Sequence, residues 1–150
     1  MNTDGPVPDG SEDAWWSFRT RLSRRVQTLE PGEVVSLVVM DSARKGDGSG
    51  GYLQVLATDA SWLRGEVSSN DFLAPEHQLD APRESLLEEL GWMPPEPRRS
   101  RWKGSPAPNF YLDVELADAA DLAVMVVRTM REVFGVTEPG ALQVEGLGHA

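Results

Sequence analysis

YLQVLATDASWLRGEV, residues Tyr52 to Val67, decides the fold class. It splits into two short runs, Tyr52–Ala57 and Trp62–Val67, separated by Thr58-Asp59-Ala60-Ser61, a turn-forming tetrapeptide that predicts a hairpin. In the second run Leu63, Gly65 and Val67 alternate with Trp62, Arg64 and Glu66, the period-two pattern of a strand with one buried and one polar or partner-facing side. Upstream, Val34 to Asp41 is β-branched and almost continuously apolar, which predicts a central strand joined to the hairpin by the glycine-rich connection 42–51. Together these runs predict an antiparallel meander.

Helices flank it. Trp15, Phe18, Leu22, Val26 and Leu29 recur at intervals of three and four, so a helix is predicted from Glu12 to Leu29, with Ser11 as its cap and Pro31-Gly32 as its stop. Asp80 and Pro82 open a second, short helix over Ala81–Leu90 with a Leu86, Leu87, Leu90 stripe. Gly91 is its left-handed stop, and Trp92 packs back on Leu87. Met93 to Pro108, rich in proline and arginine, reads as loop. Phe110, Leu112 and Val114 alternate with Tyr111, Asp113 and Glu115 as a further strand. A long helix from Asp118 to Phe134 follows, its buried stripe Leu122, Met125, Val126, Met130 and Val133, ended by Gly135 with Val136 against Met130. The order α-βββ-α-β(β)-α predicts an α+β fold, an antiparallel sheet of four to five strands with helices packed on one face. The chain reads as a disordered lead over 1–12, one domain over 13–142 and a flexible tail over 143–150.

Composition narrows the function classes. The 150 residues suit one domain, and 40% hydrophobic with 25% charged residues is ordinary for a folded protein. No apolar run reaches membrane-spanning length, and the acidic start has no secretory character, so a cytoplasmic protein with no membrane partner is expected. Twenty-four Asp plus Glu stand against 14 Lys plus Arg, a formal charge of −10 that repels nucleic acid and favours basic partners. The basic stretch Arg98, Arg99, Arg101 and Lys103 around Trp102 is read as a solvated loop.

Catalytic chemistry has little to work with. There is no cysteine, and the two histidines, His77 and His149, lie in a polar loop and next to the C-terminus. No metal-ligand spacing occurs, so neither metal nor cofactor is expected. GDGSGG, Gly46–Gly51, differs from the serine-protease GDSGG signature by the intruding Gly48, and no histidine precedes it. It is not a phosphate loop, because a strand follows and no Lys-Ser/Thr does. Acidic pairs such as Glu88-Glu89 and Asp118/Asp121 suit exposed helix faces and first turns. No catalytic residue is assigned, and a non-enzyme is expected.

The five tryptophans carry more information. Trp15 and Trp16 are adjacent, so one falls off the helix stripe, and Trp62 points away from Leu63. Each of Trp16 and Trp62 either caps a core edge or lines an apolar partner surface, a setting in which tryptophan is enriched.

Leu90-Gly91-Trp92 before Pro94-Pro95, then Pro108-Asn109-Phe110, then Thr129-Met130-Arg131-Glu132-Val133-Phe134-Gly135-Val136 with Pro139 and Leu142, resembles the pattern of actinobacterial domains related to type III secretion chaperones and YbjN-like proteins. Met130 stands where that pattern has leucine, and the resemblance covers roughly residues 14 to 142. It implies an α+β chaperone-like fold that binds peptides or unfolded client segments, in some relatives as a homodimer, through a sheet edge or an exposed sheet face. Strand alternation makes Val38, Met40, Leu56 and Trp62 the candidate contacts, with Trp16 beside them. The expected function is a peptide- or protein-binding adaptor that holds an apolar client segment. The alternative is an immunity-type inhibitor that occludes one folded effector.

Overall fold

The computed structural model describes residues 10–39, 51–69, 78–95 and 109–147. Helix α1 spans Gly10–Gln27, followed by strands β1 (Val34–Val39), β2 (Tyr52–Ala57) and β3 (Trp62–Val67), helix α2 (Ala81–Leu90), strand β4 (Phe110–Glu115), helix α3 (Ala119–Arg128) and strand β5 (Leu142–Glu145). The five strands form one sheet in the order β4-β3-β2-β1-β5, antiparallel throughout. The α+β class and the predicted succession of helix, three strands, helix, strand, helix are thus observed.

Two boundaries differ from the reading of the sequence. Among the described residues no second strand follows α2 beside β4; the fifth strand comes after α3, and three of its four residues fall in the stretch 143–150 read as a flexible tail. There Leu142 to Glu145 pair with Ser36 to Val39, and both Leu142 and Leu147 are buried. Helix α1 also begins at Gly10, so Ser11 lies within its first turn and not at its cap.

The helices cover one face of the sheet. Val35, Leu37, Leu53, Val55, Ala57, Leu63, Val67 and Phe110 meet Trp15, Phe18, Leu22, Val26, Leu87, Leu122, Val126 and Met130 in one core. Leu22, Leu53, Leu63 and Leu87 are completely enclosed. Burial of a side chain of that size contributes about 1.5–3 kcal/mol, which is why the three- and four-residue spacing of α1 decides its orientation. The helix carries Glu12 and Asp13 in its first turn and Arg24 and Arg25 in its last, matching its dipole. Arg131 pairs with Glu12 and lies 5.5 Å above the Trp15 ring, tying the start of α1 to the end of the α3 segment.

Helix α2 is delimited as its sequence dictates. Asp80 accepts a hydrogen bond from the Arg83 backbone N–H at 3.0 Å, and the Trp92 N–H closes the far end on the Leu87 carbonyl at 3.0 Å. The last helix is less uniform than its spacing predicts. A 3-10 turn (Leu116–Asp118) leads into α3, and a π-helical turn (Thr129–Val133) follows it. At that junction the Thr129 hydroxyl donates to the Met125 carbonyl at 2.7 Å and accepts the indole N–H of Trp92 at 2.9 Å. A side chain wedged against the helix ladder in this way is a known cause of local widening. Gly135, at φ +68°, then ends the segment, with the Val136 N–H on the Met130 carbonyl at 3.0 Å.

Candidate functional site

With the described helices all on one side, every second strand residue points away from them. The registers place Val34, Leu56, Arg64 and Asp113 in one row across β1 to β4, and Ser36, Gln54, Glu66 and Tyr111 in the next. Val38 sits opposite Tyr52, and Trp62 opposite Glu115. Gln143 and Glu145 complete the face on β5. Leu56 and Trp62 are diagonal neighbours, a spacing that long and aromatic side chains bridge.

Three of the residues singled out from the sequence, Val38, Leu56 and Trp62, therefore share this outer face. Trp62 is 41% exposed, whereas Val38 and Leu56 are half-buried. Val38 stands apart from the other two, beside Tyr52 at the opposite end of β1. Trp16 is not beside them: it projects from α1, in the layer on the other side of the sheet, and is 61% exposed. Its adjacency to Trp15, which is buried, turns it about a quarter of a circle off the core stripe. Met40 lies outside the described residues, as do the basic stretch around Trp102 and both histidines.

One contributor was missed. Val34 is 40% exposed and opens the row that contains Leu56. Its parity with Val38 along β1 was the available signal. Val34, Leu56 and Trp62 thus form an oblique apolar strip across three strands.

The rest of the face is a polar lattice. The Arg64 guanidinium grips both Asp113 oxygens at 2.8 Å and lies 4.9 Å over the Tyr111 ring. The hydrogen bonds that Arg64 donates to Asp113 raise the Arg64 pKa further above its usual value. Nearby, Glu66 accepts from Gln54 at 3.0 Å and from Asn109 at 3.3 Å. Asn109 is buried; its amide also donates to the Tyr52 hydroxyl at 3.1 Å, and its carbonyl accepts from the Ser69 backbone at 3.4 Å. This asparagine joins β2, β3 and β4 through bonds that Leu or Ala could not make. The Gln54, Glu66, Asn109 and Tyr52 bonds make one end of the face polar, while the Arg64–Asp113 pair continues the row of Val34 and Leu56.

The two edges of the sheet are unequal. On β4, Tyr111 exchanges two backbone hydrogen bonds with Met93, at 2.8 and 3.1 Å, which occupies that edge. On β5 no described strand adds to the outer side. A concavity of about 580 Å³ flanks it, lined by Ala14, Phe18 and Arg21 of α1 and by Gly140, Val144 and Leu147. Among the described residues no helix is long and apolar enough to cross a membrane, and no three His, Asp or Glu side chains gather as a metal site.

Residues 8–148 match the family model described as T3SS (YopN, CesT) and YbjN peptide-binding chaperone 3, over nearly the whole chain. Searches of curated proteins and of solved structures gave no match.

Proposed function

The chain belongs to the T3SS and YbjN peptide-binding chaperone family, and we propose that it is a cytoplasmic, non-catalytic adaptor that holds an apolar segment of a client protein on the outer face of its sheet. The observation that carries this reading is the oblique strip of Val34, Leu56 and Trp62 on a face the helices leave open. A half-exposed tryptophan framed by aliphatic side chains has the composition of an interface hot spot. The polar lattice on the same face supplies fixed donors and acceptors that would orient a bound segment. The edge of β5, to which no described strand adds, offers main-chain hydrogen bonding to an extended client.

The test is affinity capture from the native cell, followed by measurement of binding to short synthetic segments of whatever is recovered. Reproduction of the interaction by one short segment, weakened by Trp62→Ala, is the expected result. Recovery of one folded partner with no binding by any of its segments would replace this reading with that of an inhibitor occluding a folded effector.

A further inference from the structure

We propose that the client segment taken by the outer face is basic as well as apolar, an extended stretch in which aliphatic residues alternate with lysine or arginine. This inference rests on the reading above that the outer face is the binding surface.

The charged residues of the strands all lie on one side of the sheet. The five strands contain five charged residues, Arg64, Glu66, Asp113, Glu115 and Glu145, and all of them lie on the outer face. One is a cation and four are carboxylates. The cation is already matched, since Arg64 holds Asp113 through two hydrogen bonds. Among the described residues no cation pairs with Glu66, Glu115 or Glu145: Glu66 accepts only from the neutral amides of Gln54 and Asn109. The arginines of α1, Arg19, Arg21, Arg24 and Arg25, belong to the opposite layer. Among the described strand residues the outer face is therefore net negative, four carboxylates to one arginine.

Position adds to sign. Glu115 stands directly across from Trp62, and Glu145 from Ser36, so carboxylates border the apolar strip at β4 and the far end of the face at β5. An extended segment turns every second side chain to a surface and the intervening ones away from it, but lysine and arginine at those positions have stems long enough to bend back to carboxylates beside the contact. Aliphatic residues set on Val34, Leu56 and Trp62 would leave their neighbours within reach of these carboxylates. Lysine or arginine there gains attraction, whereas aspartate or glutamate meets like charge, which is an effective way to exclude wrong partners.

The experiment uses the full chain and three short synthetic peptides of equal length: alternating leucine and lysine, leucine and serine, and leucine and glutamate. Titration calorimetry at low salt is expected to rank them in that order, with the lysine peptide at least about tenfold tighter than the glutamate peptide. Raising the salt to about 0.5 M should shrink that advantage to about twofold, because exposed charges are then screened within a few ångströms. The double variant Glu115→Gln/Glu145→Gln changes two exposed side chains and should reduce the preference in the same way. Equal binding of all three peptides would overturn the charge preference and leave the outer face as a peptide site. Binding of none would overturn both.

Discussion

The indole of Trp92 lies against Gly65 so closely that a methyl group on that glycine would stand 3.0 and 3.1 Å from two carbons of its six-membered ring. The same methyl would also be 3.5 Å from Leu122. A backbone position on the sheet and the residue just past α2 are thus made for each other, and the absence of a side chain at Gly65 is a packing requirement and not a turn signal.

Gly65→Ala should therefore destabilise the fold by about 1–3 kcal/mol, the usual cost of overpacking, reduced somewhat by the lower chain entropy of alanine when unfolded. Chemical denaturation measures it. An unchanged midpoint would mean that the ring moves aside freely.

The other side of Trp92 makes a second prediction. Its N–H donates to the Thr129 hydroxyl at 2.9 Å inside the core, where water does not replace a lost partner. Thr129→Val should cost about 1–3 kcal/mol by stranding that donor, while Thr129→Ser keeps the acceptor and should cost less. Combined with Trp92→Phe, the valine substitution should add less than its cost alone, because the donor is then gone. Full additivity in that cycle would show that the hydrogen bond contributes nothing to stability.

Much of this architecture is legible in the sequence because its signals are local. Asp80, Gly91 and Trp92 announce the ends of α2 within a few residues, and the alternation in Trp62–Val67 assigns each side chain to a face. The features that escape are those that depend on distant partners. Strand β5 has only Leu142 and Val144 as apolar positions, too few for a period, and exists because β1 lies open to it more than a hundred residues earlier in the chain. Thr129 reads as an ordinary helix residue until Trp92 is seen to reach it. Of the candidate site, Val38, Leu56 and Trp62 follow from strand parity alone. Placing Trp16 beside them required knowing which side of the sheet α1 packs on, and periodicity within one helix does not contain that.

Titration makes a further prediction. Arg128 forms two hydrogen bonds to Glu132 one helical turn along, at 2.8 and 3.1 Å, and these hold the Glu132 carboxyl below its usual pKa, with the charges of Arg128 and Arg131 adding to the effect. A depressed folded-state pKa stabilises the fold above the unfolded value, and that contribution is lost as pH falls through the folded one. The pair is exposed, so the effect on stability is small and the pKa itself is the better readout. Carboxyl NMR titration should place Glu132 below an ordinary glutamate, and Arg128→Gln should return it most of the way. No upward movement in that variant would show that the pair is not formed in solution.

The central claim is that the outer face of the sheet, and not the helical side, receives the client. Trp62 and Trp16 are both exposed tryptophans, one on each side, so they form a matched pair of probes. The decisive measurement is the affinity of the leucine–lysine peptide for the native chain, Trp62→Ala and Trp16→Ala, with the stability of each recorded alongside. Loss of at least about tenfold in Trp62→Ala, the scale of a hot spot, with Trp16→Ala within about twofold of the native chain and all three folded, is the predicted result. Full binding by Trp62→Ala, or weakening by Trp16→Ala alone, would contradict it and move the site to the helical side.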